Sequence, residues 1–329
     1  MKIAVDYSWL GPTGIGRMAA EVLSRKPAAV EVIGIRKDMK NAGILTPFSL
    51  SSNIKKSGAD KFWSPGFIPP AMSPEVPNSI TIHDLTHLHY FKLHHRIYYN
   101  VVIKPLLKNV DVIFTVSDHA KLEIQEWAGI SPEKVIRVYN GVDPVFSNNE
   151  RIIDINRPYI LYVGNRRVNK NVPGLMRAFA VSGLAKQGYM LALTGSRDAA
   201  VAELEAELGI EGDVHYFGFV SEADLPAVYR GAHMTAFVSL YEGFGLPIIE
   251  SMACGTPTLT SSVSCMPEVA GGAALLANPD DISAVSEGLK VLCEDGDLRQ
   301  RLQTAGKQRA NEFSWDKTAL EYWDVLARM

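Results

Sequence analysis

The chain is short of cysteine, of any excess of charge and of long apolar runs, and each shortage removes a class of protein. Its three cysteines, Cys254, Cys265 and Cys293, are odd in number and show no CxxC spacing. That argues against a disulfide framework or a zinc site and suits reduced thiols in a cytoplasm. A formal charge of -3 gives no overall pull toward nucleic acid, so any polyanion would have to be met locally. No apolar stretch reaches the roughly 18 residues a membrane span needs. The opening Met1-Lys2-Ile3-Ala4-Val5-Asp6 is too short a run, and too soon charged, for a signal peptide. The expected location is cytoplasmic, with peripheral contact at the inner face of the membrane as the one membrane option.

What is present is an ordinary globular composition, 47% hydrophobic and 21% charged, over 329 residues, a length that accommodates two domains. Apolar runs at 2–7, 30–35, near Phe62-Trp63, 80–84, 110–116 and 135–138 predict strands in the first half. Residues 37–79 are otherwise rich in Pro, Ser and Asn and read as loops with short elements. A polar, aperiodic stretch at 147–151 marks a boundary. The pattern then restarts, with strands at 159–163, 190–193, 215–217, 234–238, 258–260 and 273–276. Between them lie helical stretches at 198–208, 221–231 and 247–254. Alternation of this kind predicts α/β architecture with parallel sheets. The expected domains are 1–150 and 151–312, facing each other across a cleft, with the amphipathic segment 313–329 packing back on the first.

The most informative stretch is Glu242-Gly243-Phe244-Gly245-Leu246-Pro247-Ile248-Ile249-Glu250. An apolar run enters it and Pro247 and Gly255 bracket a short helix, which makes 242–245 a strand-to-helix loop with amides facing outward at a positive helix end. Glu250 is expected in the first turn, so two carboxylates flank the amides. The plainer alternative is that Glu250 merely complements the helix dipole. Three cations, Arg166, Arg167 and Lys170, share the loop after the strand at 159–163. In the first half, Gly11 to Arg17 forms a glycine-rich strand-loop-helix element through Gly14, Ile15 and Gly16; backbone can approach a phosphate or sugar there, or the element is a plain turn.

Five histidines, His83, His87, His89, His94 and His95, fall within thirteen residues. Ion ligation by His83, His87 and Asp84 would need a fixed helix and further partners for the ring nitrogens. The reading taken is of His83 alone, at a strand's carboxyl end and turned toward a substrate. From 85 to 110 there is no acidic residue, while Lys92, Arg96, Lys104 and Lys108 interleave with aromatics. This fits an amphipathic helix on anionic lipid or holding a phosphorylated acceptor, or a domain helix with a solvated basic face.

Taken in order, Gly14-Ile15-Gly16-Arg17, Thr81-Ile82-His83-Asp84-Leu85, Thr115-Val116-Ser117, Asn140-Gly141-Val142-Asp143, Lys170-Asn171, the Glu242 to Glu250 element with Gly255-Thr256-Pro257, Pro267-Glu268-Val269 and Phe313-Ser314-Trp315 resemble family-4 retaining glycosyltransferases. The resemblance runs nearly end to end and implies the GT-B fold, two Rossmann-like domains with the donor between them. It further implies that Glu242 meets donor-sugar hydroxyls and that amides from Gly243 through Phe244 and Gly245 to Leu246 reach sugar and pyrophosphate. Glu250 would hold the ribose. Lys170 with Arg166 or Arg167 would neutralise the departing pyrophosphate, Gly14 to Gly16 would approach it from the other domain, and His83 would sit near the reacting centre. The chain departs from the family at Asn165, where many members carry arginine, and in its short first domain.

The expected activity is transfer of a hexose, mannose from GDP-mannose, with retention, to a glycan or lipid-linked glycan of a cell-surface polysaccharide. No cofactor or metal is expected, because the cations face the leaving group directly. Alternatives are another donor (a UDP-hexose, UDP-HexNAc or nucleotide-rhamnose), an epimerase or hydrolase of sugar nucleotides, or a non-catalytic nucleotide-sugar-binding protein.

Overall fold

A computed structural model describes residues 1–37, 43–148 and 150–329. Among these, the chain divides into one unit of Met1–Gly141 with Ser314–Met329 and another of Val142–Phe313. The division precedes the polar stretch at 147–151, of which Asn149 lies outside the described residues. The reason is Phe146: its ring is buried edge-on to Tyr229 at 5.9 Å, and Arg230 Nη2 donates to its carbonyl oxygen, so 145–148 belongs to the second unit.

The first unit holds six parallel strands, β1 (Lys2–Asp6), β2 (Glu31–Ile35), β3 (Lys61–Ser64), β4 (Asn78–Thr81), β5 (Val112–Thr115) and β6 (Val135–Arg137), in the order β2-β1-β3-β4-β5-β6. The sheet reverses its direction of growth between β1 and β3, and ligands of open α/β sheets bind outside the carboxyl ends of strands at such a switch point. Two expectations are corrected in this unit. Within 37–79, whose residues 38–42 lie outside the described set, the helix Thr46–Ser57 forms, with Pro47 in its first turn and left-handed Gly58 at its end. It buries Leu50 and Ile54 against Phe62 despite its polar composition. The segment 85–110 is a broken series, helices Thr86–His89 and Leu93–Tyr98, a π turn Tyr99–Ile103 and further short turns, where one helix was expected.

The terminal helix Trp315–Arg328 lies in this unit, capped by Ser314 Oγ. Tyr322 is buried against Phe114 and Trp63, with ring centroids 4.3 Å and 5.4 Å apart. Trp323 Nε1 donates to Val22 O at 2.9 Å, and Lys61 Nζ donates to the last-turn carbonyls of Leu326 and Ala327 at 2.8 Å and 2.7 Å. A cation there also complements the negative helix end.

The second unit repeats the architecture with β7 (Tyr159–Tyr162), β8 (Met190–Leu193), β9 (Val214–Tyr216), β10 (Met234–Phe237), β11 (Thr258–Ser261) and β12 (Leu275–Ala277), all parallel, in the order β12-β11-β10-β7-β8-β9. Its switch point lies between β7 and β10. A core of Ile160, Leu175, Phe179, Leu191, Met234 and Leu289 joins the sheet to the helices Val172–Ser182 and Ile282–Glu294, the latter capped by Asp281. All three cysteines are buried free thiols. Among the described residues, no helix is long and apolar enough to cross a membrane.

Candidate active site

The loops that leave β7 and β10 meet at the switch point of the second unit, and they carry the two groups with opposite charge. Lys170, at the end of the 3-10 turn Val168–Lys170, donates to both carboxylate oxygens of Glu242, at 2.7 Å and 2.8 Å. Both side chains are mostly buried, 18% and 10% exposed, and the ammonium lies 5.5 Å from the Phe237 ring centroid. Neighbouring residues fix the two loops to one another. Asn169, buried, donates through Nδ2 to Tyr241 O at 3.0 Å and accepts at its carbonyl from Leu240 N at 2.8 Å. Ser264 holds Glu242 from the far side, its hydroxyl accepting from Glu242 N at 3.3 Å and donating to Glu242 O at 2.8 Å. Its φ of 56° is left-handed backbone, unusual for serine.

Two expectations for this element are corrected. The loop 242–245 is buried rather than turned outward, with the Glu242 amide spent on Ser264 and Phe244 packed edge-on to Phe313 at 5.6 Å. Gly243 is buried with it. Gly245 has φ 94°, and a Cβ there would stand 3.1 Å from Ile248 and 3.4 Å from Phe237, so the tight entry into the helix Leu246–Ala253 requires glycine. Glu250 lies past the first turn of that helix, which begins at Leu246 with Pro247 second. It is buried, and its Oε2 accepts from Tyr229 Oη at 3.0 Å. A role as a first-turn dipole partner is therefore excluded.

The structure separates the two arginines of the β7 loop. Arg166 is drawn to the loop after β8: Nη1 donates to Ser196 O and Asp198 Oδ2, both at 2.6 Å, and the guanidinium faces the Tyr216 ring at 5.5 Å. Its Nε is buried with no hydrogen-bond partner, as is the hydroxyl of Ser239 in the loop after β10. Arg167 is exposed, its amide donating to Asn165 Oδ1 at 3.1 Å. Both arginines line an open cavity of about 380 Å³ with Asn171, Arg177, Leu240 and Asp280. Leu240 lies two residues before Glu242.

In the first unit, Gly14, Ile15 and Gly16 form the first turn of the helix Gly14–Ser24 rather than a loop before it. Thr13 Oγ1 caps this helix by accepting from Gly16 N at 3.1 Å. A Cβ on Gly16 would lie 2.1 Å from Gly11 O, whereas one on Gly14 would meet nothing within 4 Å. So Gly16 is required by the returning chain and Gly14 leaves open space. His83 lies beyond β4, which is two residues earlier than expected. Its Nε2 is 3.0 Å from Pro65 O in the loop after β3. A carbonyl only accepts, so Nε2 carries the proton and Nδ1 is left as an acceptor. Burial pushes the His83 pKa below its ordinary 6.5, against the Pro65 carbonyl and Asp84, which favours the neutral ring. Among the described residues, no group of three or more His, Cys, Asp or Glu is placed to hold a metal ion. His87 instead stacks between Phe91 and Tyr99.

Family comparison matches both halves of the chain. The family described as Glycosyl transferases group 1 matches residues 146–309, and Glycosyltransferase Family 4 matches residues 20–146. The chain belongs to the family 4 glycosyltransferases. O-antigen chain mannosyltransferase B of Escherichia coli is 37% identical to it over 162 residues, 48% of this chain and 42% of that protein. MMP alpha-(1->4)-mannosyltransferase of Mycolicibacterium hassiacum is 32% identical over 237 residues, 69% of this chain and 57% of that protein. The glycosyltransferase thus aligns with about half the length of these curated relatives. Sucrose-phosphate synthase from Thermosynechococcus elongatus shares its fold with a TM-score of 0.79 at 18% identity, over 100% of this chain and 98% of that one. The fold is GT-B.

Sequence reasoning missed Ser264, Asn169, Tyr229 and Asp198 in this glycosyltransferase. Each acts on a residue distant in the chain. Nothing in the periodicity around these four residues marks them.

Proposed function

We propose that this glycosyltransferase is a retaining mannosyltransferase, moving mannose from GDP-mannose to a glycan or lipid-linked glycan during synthesis of a cell-surface polysaccharide. The observation that carries the reading is the Lys170–Glu242 pair at the switch point of the second unit, with Arg166 and Arg167 on the same loop. Breaking a sugar–diphosphate bond places negative charge on the diphosphate and positive character on the sugar. Preorganised cations lower the barrier by meeting that charge. Lys170 supplies such a cation, with Arg167 exposed beside it and Arg166 shaping the loop. In this reading the donor diphosphate draws the Lys170 ammonium, and Glu242 turns its carboxylate to the sugar hydroxyls, while Glu250 takes the ribose diol.

The acceptor hydroxyl attacks the anomeric carbon from the face the diphosphate leaves, and a diphosphate oxygen takes its proton. The new glycosidic bond keeps the donor's configuration, and no protein nucleophile is used. Three cations on one loop fit chemistry that needs no metal. Support for mannose as the sugar comes from the curated relatives, both of those reported above being named mannosyltransferases.

Thermal-shift measurements with GDP, UDP and dTDP, followed by incubation with GDP-mannose and a glycan acceptor in chelator, test the proposal. Selective stabilisation by GDP and an α-linked product by NMR are expected. Selective stabilisation by UDP or dTDP would replace the donor, an inverted product would remove retention, and donor loss without acceptor would favour a hydrolase or epimerase.

A further inference from the structure

The broken segment after β4 has apolar residues on two faces, and only one of them is used by the core. Tyr99, Ile103 and Leu107, four apart, are buried with Ile68, Ile80 and Ile113. Leu93, Ile97 and Val101, also four apart, are 68%, 53% and 67% exposed. Consecutive apolar residues four apart drift around an α-helix. The π turn Tyr99–Ile103, wider than an α turn, brings Val101 back under Ile97 and keeps the exposed stripe straight. The Tyr98 hydroxyl donates to Gly43 O at 3.2 Å and so brings the exposed Ile44 and Leu45 to the same side.

Within the segment itself the charge is of one sign, while the helix Asp118–Ala128 brings Glu123 to His89 at 2.7 Å. Between residues 85 and 110 the chain has four Lys or Arg, Lys92, Arg96, Lys104 and Lys108, and no Asp or Glu. All four are exposed. Exposed aliphatic side chains flanked by flexible cations match the acyl boundary and headgroups of an anionic bilayer. A soluble acidic partner would use the cations and leave the stripe unpaired. We infer that this face of the first unit docks on an anionic lipid surface, with Leu93, Ile97 and Val101 entering the acyl boundary and Lys92, Arg96 and Lys104 meeting headgroup phosphates.

Vesicle binding needs neither donor nor acceptor, so its outcome is independent of the transferase reading. The full chain is floated with vesicles of phosphatidylglycerol and phosphatidylcholine, or of phosphatidylcholine alone. Three proteins are compared: the wild type, Ile97→Asp/Val101→Asp and Lys92→Gln/Arg96→Gln. Circular dichroism confirms folding, which exposed positions tolerate. Binding to the anionic vesicles alone is expected. It should fall at least about tenfold in the aspartate variant, from lost burial of two side chains. In the glutamine variant it should fall about twenty-fivefold at low salt, about fivefold for each lysine or arginine. Equal binding by wild type and aspartate variant, or equal capture by neutral vesicles, overturns the inference. So does a concentration-dependent dimer that the aspartate variant abolishes without any vesicle binding, because the stripe would then be covered by a second copy.

Discussion

At the residue scale the site turns on one ion pair. Lys170 and Glu242 neutralise each other in a mostly buried setting, where losing one partner costs more than the pair gains over solvent. Lys170→Ala is therefore expected to lower kcat by roughly two to three orders of magnitude. It should also lower Tm, because Glu242 keeps its charge and loses the ammonium. Glu242→Gln keeps an oxygen for Lys170 and should retain more of the Tm. Steady-state rates beside melting curves for both variants check this, and a wild-type rate in Lys170→Ala sinks the role. Glu242 and Lys170 were legible in sequence because each falls in a strand-to-helix loop, where parallel sheets place ligands. The burial of the Gly243–Gly245 loop was not legible, since it depends on Ser264 and Phe313, 19 or more residues away in the chain. Nor was the split between Arg166 and Arg167, which is decided by carbonyls of the β8 loop and by Asp198.

At the element scale, strands were read correctly wherever an apolar run ended in a turn residue, because a buried parallel strand needs little more than that. The helix Thr46–Ser57 escaped because Ser, Asn and Pro dominate it. Its signals were Pro47 in the first turn and Gly58 at the end, on either side of only two deeply buried aliphatics, Leu50 and Ile54. The segment 85–110 was read as one helix because its polar and apolar residues alternate suitably. Lys92 and the π turn divide it. The attachment of the terminal helix is the most exposed to test. A Cβ on Gly141 would stand 2.2 Å from Trp315 N, a backbone atom that cannot move without shifting the helix start. Gly141→Ala should destabilise the protein by about 1–3 kcal/mol through overpacking. Gly212→Ala, on the surface with open space around its Cβ, should stay within about 0.5 kcal/mol. Urea unfolding of both variants separates the close approach from a general cost of losing glycine, and equal midpoints would remove the contact's importance.

At the scale of the whole molecule, three histidines set the response to mild acid. His83, His215 and His233 are each held below the ordinary 6.5, first by burial, with Arg299 adding to the effect at His233. Each is neutral in the folded chain and takes up a proton more readily when unfolded. Between the lowered folded values and 6.5 the unfolded state binds more protons, so stability is lost as pH falls through that window. Asp198 and Asp224 are held below their ordinary 3.8, by backbone and arginine contacts at Asp198 and by Ser221 and Arg151 at Asp224. Their contribution is present above 3.8 and is lost only at lower pH, while Asp6, raised above 3.8 by burial, opposes the histidines, one group against three. Tm should therefore fall steadily from about pH 7.5 to about pH 5. His215 and His233 stand outside the proposed catalytic groups, and His215→Gln/His233→Gln should flatten the slope while leaving the rate of transfer near wild type. A wild-type Tm independent of pH over that range would mean that the buried rings titrate as freely folded as unfolded, and the argument from burial would fail.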